Sequence, residues 1–313
     1  MGIQGTEVAK GASDMILTDD NFCSIVAAVE KGRTIYAGIQ KFVAFIMSVH
    51  IAEVLQIFVC VVAELPVMRS PIQILYLILV TDLAPSIALG MEPGQKGIMN
   101  DRPRPKKEPI LLGWMWMSTV VNALILTVVV MGVYIWGLHY YVGELNADEI
   151  VEDVELQERG HMAGNTALAL EKARTVAFIS LVWSENVRAY TSRSFNRPVC
   201  CEMFSNKHMQ RAIGIAEVAL FAAVLLPGLT DVLGLRGMDI GREGWLVAFI
   251  GAVSTMVLCE IYKVVLRLQR HICGGADAGE KKEQDAKASK SKLGKGKGKQ
   301  QQQQQDKEAT VSV

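Results

Sequence analysis

The apolar residues of the chain gather into blocks that polar segments separate. Six such blocks cover residues 42–63, 71–90, 110–137, 174–184, 212–229 and 245–266. A helix that crosses a bilayer needs about 20 mostly apolar residues, a length that four or five of the blocks reach and that the short block at 174–184 does not. The pattern therefore predicts a mainly α, polytopic helical membrane domain of about six spans.

The first forty residues are polar enough to belong to a soluble unit. The run "MILTDD" is typical of a short strand, and Asp20 or Asn21 can cap a helix that starts at Phe22. From Phe22 onward, apolar residues recur at helical spacing, and no proline interrupts them before the first apolar block. The sequence thus predicts one long helix that leaves a soluble unit and enters the membrane.

The chain has no net formal charge, but its charges are unevenly distributed. The segments 90–109 and 188–211 are basic, as is the lysine-rich tail 271–313, whereas 138–172 is acidic. Positive charge marks the cytoplasmic side of a membrane. Six spans place the basic segments, the N-terminal segment and the tail together on that side, which supports counting 174–187 as a span. The composition of the tail predicts disorder.

Three acidic residues lie within three different predicted spans: Glu53, Asp82 and Glu185. We expect no lysine or arginine at matching depth, since Arg188 lies one turn nearer the cytoplasm and could pair with Glu185 only at the membrane edge. Carboxylates that converge without a basic partner repel one another unless they are protonated or bridged by a cation. Oxygen ligands suit Ca²⁺, Na⁺ or protons. The alternative is structural polar packing.

Two neighbouring features strengthen the prediction of a cation site. His50 precedes Glu53 by three residues and shares its helix face. Pro85 removes a backbone donor, which leaves carbonyl oxygens free near Asp82. From the residues alone, the expected cation ligands are Glu53, Asp82 and Glu185.

At this point the sequence resembles the P-type cation-transporting ATPases, in the branch of the endoplasmic-reticulum calcium pumps and the sodium pumps. "MGIQGTEVAKGASDMILTDDNFCSIVAAVEKGRTIY" resembles the end of their α/β phosphorylation domain and the stalk after it. "PIQILYLILVTDLAPSIALGMEP" resembles their sixth membrane helix, and "IMNDRPRP" the loop that follows it. The resemblance implies a remnant of the cytoplasmic phosphorylation domain with the stalk at 1–41, a six-helix cation-transport domain at 42–270, and the disordered tail at 271–313.

The resemblance also implies which residues bind the transported ion. Ligands from the family's fifth, sixth and eighth helices fall on His50 and Glu53, on Thr81 and Asp82, and on Glu185. A further sixth-helix ligand of the calcium pumps falls on Ile78, which cannot ligate. His50 is a weak ligand for Ca²⁺ but can carry a proton. The implied activity is Ca²⁺ transport coupled to ATP hydrolysis in the complete pump, with Na⁺ or Na⁺/H⁺ transport as the alternative.

The sequence contains neither "DKTGT", the family's phosphorylation motif, nor "TGDGVND". The resemblance therefore implies that ATP and Mg²⁺ bind mainly outside this chain and that no catalytic residue lies within it. The expected partners are membrane lipid and the N-terminal part of the same pump, with no nucleic acid, in an endomembrane or the plasma membrane. A truncated membrane protein without ATPase activity is the other alternative.

Overall fold

The computed structural model describes residues 1–94, 97–100, 104–105, 108–143, 165–193 and 206–268. The tail that is predicted to be disordered and most of the acidic segment lie outside these residues. By its internal contacts the chain divides into two units, Met1–Glu260 and Ile261–Val313, and the contacts below are those of the first. No β-strand occurs among the described residues, and long helices account for most of them, so the mainly α class is confirmed.

The described helices are α1 (Glu7–Gly11), α2 (Cys23–Val62), α3 (Pro71–Tyr76), α4 (Leu83–Gly90), α5 (Gly113–Tyr141), α6 (Asn165–Ser192), α7 (Lys207–Leu225), α8 (Leu229–Leu233) and α9 (Gly241–Leu268). A π-helical turn, Leu77–Asp82, joins α3 to α4, and a short 3₁₀ turn at Ile98–Asn100 follows α4.

Five helical segments of the described chain are long and apolar enough to cross a membrane: α2, the segment Pro71–Gly90, α5, α7 and α9. The chain is thus a multi-pass membrane protein. The helix α6 is not apolar enough by the same measure, although its 28 residues reach about 42 Å and a bilayer core is about 30 Å thick. Every side chain from Thr175 to Val182 is buried. Because α6 is enclosed by other helices, it needs less apolar surface, and its role as a sixth span stays a prediction.

The helix α2 is a single element of 40 residues, as the sequence predicts. It begins at Cys23 rather than Phe22, and Oδ1 of Asn21 accepts a hydrogen bond from the backbone N–H of Cys23 over 3.0 Å. At about 1.5 Å per residue, α2 is about 60 Å long. No residue of α2 before Gly38 is buried, whereas ten residues from Gly38 to Cys60 are. One continuous helix thus joins the N-terminal segment to the membrane domain.

The predicted strand in "MILTDD" is wrong. Its residues form an irregular segment that ends in a turn, and Asp20 at its end adopts a positive φ of 48°. The carboxylate of Asp20 accepts hydrogen bonds from the backbone N–H groups of Ile3 (3.1 Å) and Gln4 (2.7 Å). The backbone N–H of Gly2 also donates to the carbonyl of Leu17 over 2.7 Å. The segment is therefore joined to the N-terminal residues by this single backbone bond and by the carboxylate of Asp20, and it forms no strand.

The core of the membrane domain is built around α5 and α6. A Cβ atom added at Gly137 of α5 would lie 3.3 Å from the Cα atom of Ala173 in α6, so the small residue lets the two helices approach closely. The side chain of Tyr134 on α5 is fully buried. The helix α2 packs on α5 and on α4, which brings its buried half to the centre of the domain.

Gly38 marks the point where α2 passes the end of α4. A Cβ atom added there would lie 2.8 Å from the carbonyl oxygen of Gly90, whereas a Cβ atom at Gly32, earlier in the same helix, would meet nothing within 4 Å. The close packing of α2 on α4 therefore depends on the absence of a side chain at Gly38.

We expect Gly38→Ala to destabilise the protein by about 1–3 kcal/mol, because α2 and α4 must separate to admit the methyl group. Gly32→Ala is the matched control, and it should be neutral or stabilise by up to about 1 kcal/mol, since alanine favours the helix over glycine. Thermal unfolding of both variants in detergent checks this. Equal melting temperatures for the two variants would contradict the packing described.

Candidate cation site

Three ionisable side chains converge where α2 passes the π-helical turn. One ligand atom each from His50, Glu53 and Asp82 lies within 4.8 Å of the others. The Nδ1 atom of His50 lies 2.9 Å from Oε2 of Glu53, so the two residues share one face of α2 as their spacing predicts. Glu53 and Asp82 are each 6% exposed. Two buried carboxylates from different membrane segments therefore lie side by side.

The π-helical turn Leu77–Asp82 brings Asp82 to this place. Pro85 has no N–H to donate to the carbonyl of Thr81, so a regular α-helical turn cannot form there. The hydroxyl of Thr81 instead donates to the carbonyl of Leu77 over 2.8 Å. The sequence predicts a disturbed helix at this point, and the structure gives it the form of a π-helical turn, an element frequent at functional sites.

Glu185 of α6 adds a third carboxylate. The residue is 2% exposed, and its carboxylate is repelled by the neighbouring carboxylates of Asp82 and Glu53. Among the described residues, no donor reaches either oxygen of Glu185 or Oδ2 of Asp82. Buried polar atoms normally have partners, and carboxylates this close repel unless a proton or a cation lies between them. These oxygens are open to a cation.

A buried arginine neutralises part of this charge. Arg69 lies in the loop between α2 and α3, yet its side chain is 0% exposed and its Nη1 donates to Oε1 of Glu53 over 2.9 Å. Its Nη2 donates to Oε1 of Gln56, also over 2.9 Å. The expectation that no lysine or arginine lies at the depth of the acids is therefore wrong, because a loop residue folds back into the membrane domain.

Other helices hold the loop that carries Arg69. The hydroxyl of Tyr134 in α5 donates to the carbonyl of Pro66 over 2.7 Å, and Nε of Arg174 in α6 donates to the carbonyl of Val67 over 2.9 Å. These bonds are long-range and leave no local mark on the sequence. The sequence offers one signal for the inward position of Arg69, which is that it is the single charged residue in the loop "LPVMRSP".

Arg188 also turns inward and does not stay at the membrane edge. It is 4% exposed, and its Nη2 donates to the hydroxyl of Ser48 on α2 over 2.8 Å. Its Nη1 donates to the hydroxyl of Thr191 over 3.2 Å. Arg188 thus joins α6 to α2 on the N-terminal side of His50, while Arg69 approaches from the opposite end of α2.

A cavity of about 100 Å³ opens beside the acidic cluster. Its walls come from the part of α2 that precedes and includes His50 and from the segment Ile78–Ser86. The lining residues are Phe45, Ile46, Val49, His50, Ile78, Asp82, Leu83 and Ser86. The cavity therefore reaches Asp82 along the stretch of α2 that leads up to His50, with an apolar wall and two ionisable groups.

Glu217 of α7 is another acidic residue within a membrane-capable helix, but both of its carboxylate oxygens accept hydrogen bonds. It accepts hydrogen bonds from Nε1 of Trp183 over 3.0 Å and from Nδ2 of Asn186 over 2.8 Å. Both donors lie on α6. The carboxylate of Glu217 therefore joins α7 to α6. Glu185 on α6 differs, because no hydrogen-bond donor among the described residues reaches its carboxylate.

Comparisons with known proteins identify the family of this chain. The family model described as "Cation transporting ATPase, C-terminus" matches residues 66–265. That range contains Asp82, Glu185 and Arg69, whereas Glu53 and His50 precede it.

Three curated relatives cover most of the chain. Calcium-transporting ATPase 1 of Bacillus cereus is 30% identical over 270 residues, which cover 84% of this chain and 28% of the relative. Calcium-transporting ATPase 4, endoplasmic reticulum-type, of Arabidopsis thaliana is 43% identical over 297 residues, which cover 85% of this chain and 28% of the relative. P-type sodium-transporting ATPase4 of Plasmodium falciparum is 28% identical over 382 residues, which cover 87% of this chain and 30% of the relative.

This chain therefore spans less than a third of the length of each of these relatives. The family match extends over most of its membrane-capable helices and includes the segments that carry Asp82 and Glu185. The chain belongs to the P-type cation-transporting ATPases, and it carries the membrane segments that the family model describes as their C-terminus.

Proposed function

We propose that this chain is the membrane part of an ATP-driven cation pump and that Glu53, Asp82 and Glu185, with Thr81 and His50 beside them, form the site of the transported cation. The observation that supports this most is the pair of buried carboxylates, Glu53 and Asp82, from two membrane-capable segments. Beside them, the buried Glu185 of α6 and Oδ2 of Asp82 have no hydrogen-bond donor among the described residues. Carboxylates in a membrane are costly, and they mark ion pathways for that reason.

The charge of the site favours a single Ca²⁺ ion. Three carboxylates and the guanidinium of Arg69 leave two formal negative charges when His50 is neutral. One Ca²⁺ balances that charge, and carboxylate oxygens are ligands that Ca²⁺ prefers. The side chain of Ile78, in the wall of the cavity, supplies no oxygen, which agrees with one bound ion and not two.

Sodium is the second candidate, and Arg69 is the observation that favours it. A guanidinium repels a divalent cation twice as strongly as a monovalent one at the same distance. With Na⁺ bound, a proton on Asp82 or Glu185 would complete the charge balance. One of the three relatives above is named a sodium-transporting ATPase, and two are named calcium-transporting ATPases.

Coupling to ATP would run through α2. The helix is continuous from the N-terminal segment to Glu53, and it is tied to the segment after α4 by Arg33, which donates to the carbonyl of Ile98 over 2.9 Å. Gln40 donates to the carbonyl of Ile110 over 2.8 Å. A shift of α2 would therefore move Glu53 and this segment together and alternate the access to the site. ATP and Mg²⁺ would bind mainly outside these 313 residues.

In the complete pump, Asp82→Asn should abolish cation-stimulated formation of the phosphoenzyme while the protein stays folded. Asparagine keeps the size of the side chain but removes the charge that offsets cation desolvation. The measurement is phosphorylation by radiolabelled ATP, with CaCl₂ and NaCl titrated separately. Asp231→Asn, at an exposed aspartate of α8, is the control and should behave as the unsubstituted pump.

Unchanged cation dependence in the Asp82→Asn pump would refute the assignment of the site. If the unsubstituted pump shows no cation-dependent phosphorylation, the pump function itself is refuted, and a membrane protein without ATPase activity becomes the better description.

Glu185→Gln should raise the half-maximal cation concentration at least about tenfold, because one of the charges that bind the ion is lost. Its matched control is Glu217→Gln, which alters a carboxylate that two α6 side chains already satisfy. The control should reduce the free energy of unfolding by about 1–3 kcal/mol, because it weakens those bonds. It should therefore lower the melting temperature and leave the cation dependence unchanged. Equal effects of both substitutions on cation dependence would show that Glu185 has no special role.

A further inference from the structure

The guanidinium of Arg69 occupies the place of a bound cation among acidic groups. It bonds to Oε1 of Glu53, while His50 lies on Oε2. Both oxygens of Glu53 are thus engaged, whereas the open oxygens belong to Asp82 and Glu185. A cation that needs Glu53 as a ligand must therefore displace a partner that is already present.

We propose that Arg69 is an internal counter-cation of the transport site, which neutralises Glu53 when the site is empty and competes with the transported cation for that carboxylate. The inference rests on the proposed function, because it assigns a role within the same site. In this role Arg69 lowers the affinity of the site for cations, and it does so more for divalent than for monovalent ions. The carboxylates bind the ion, and Arg69 adjusts how tightly they bind it.

The bonding of Arg69 differs from that of a structural ion pair in the same protein. No partner among the described residues reaches Nε of Arg69. In the pair of Arg193 and Glu92, by contrast, Nε lies 3.1 Å from each carboxylate oxygen and Nη2 lies 2.7 Å from Oε1. Asn206 donates to the same carboxylate over 2.7 Å. Arg69 thus has fewer bonds to its carboxylate to lose when a cation approaches.

Arg69 also reaches the site from the side opposite the cavity. The cavity lies beside the part of α2 that leads to His50, whereas Arg69 enters from the loop that follows α2. An ion that enters through the cavity meets Asp82 before it meets the guanidinium. Because Tyr134 and Arg174 hold the backbone of the loop, displacement requires rotation of the Arg69 side chain and not movement of the loop.

The two possible roles of Arg69 predict opposite effects on cation binding. If the guanidinium competes with the ion, its removal tightens cation binding, and it does so more for Ca²⁺ than for Na⁺ because repulsion scales with ionic charge. If Arg69 serves only to hold the fold, its removal leaves a buried carboxylate uncompensated, which destabilises the site and weakens binding.

The test compares Arg69→Gln, Arg69→Lys and Arg193→Gln in the complete pump, with phosphoenzyme formation titrated by CaCl₂ and by NaCl. Arg69→Gln should lower the half-maximal Na⁺ concentration about tenfold and the half-maximal Ca²⁺ concentration by a larger factor. Arg69→Lys keeps the positive charge and should stay within about threefold of the unsubstituted pump. Arg193→Gln removes an arginine of a similarly buried ion pair and should lower stability without changing the ratio of the two half-maximal concentrations.

A folded Arg69→Gln pump whose half-maximal concentrations are unchanged or higher would overturn the proposal. Because the unsubstituted pump must show cation-dependent phosphorylation in the same titration, failure of the pump function is seen separately from failure of the role of Arg69.

If Arg69→Gln does not fold, the double variant Glu53→Gln, Arg69→Gln removes both charges of the pair and avoids an unpaired buried ion. It is compared with Glu53→Gln alone, which leaves the guanidinium without its carboxylate. The double variant should need less cation for half-maximal phosphorylation than Glu53→Gln. If the double variant needs as much cation as Glu53→Gln, or more, for half-maximal phosphorylation, the proposal is overturned.

Discussion

The negative charge of three carboxylates buried among apolar helices is the constraint on which the rest of the structure depends. Glu53 and Asp82 are buried side by side on two membrane-capable segments, and in the proposed site the buried Glu185 of α6 joins them. Such an arrangement is stable only if positive charge is present as a proton, a bound ion or a basic side chain. In the part of the chain that the structure describes, Arg69 supplies positive charge directly to Glu53, and the remaining compensation is left to an ion or a proton.

Each element around the site can be related to that requirement. The π-helical turn brings Asp82 against α2, and the enclosed helix α6 carries Glu185 to the same point. Tyr134 and Arg174 hold the loop so that Arg69 reaches Glu53.

Much of the fold follows from the sequence because the signals are local. The unbroken spacing of apolar residues predicts α2 as one rod, and the proline after Asp82 predicts a disturbed helix. The acids stand out because they interrupt apolar runs. The position of Arg69 does not follow, since it depends on bonds from two distant helices to the backbone of a short loop. The same holds for the strand expected in "MILTDD", where the carboxylate of Asp20 satisfies distant backbone N–H groups.

The most direct test of the central claim is a cryo-electron microscopy structure of the complete pump with saturating CaCl₂, paired with one in NaCl. The account predicts ion density between the carboxyl groups of Asp82 and Glu185, with oxygens at about 2.3–2.6 Å if the ion is Ca²⁺. It also predicts that the guanidinium of Arg69 has left Oε1 of Glu53. Ion density at another place in the membrane domain, with these three carboxylates and Arg69 arranged as they are in the empty site, would contradict it.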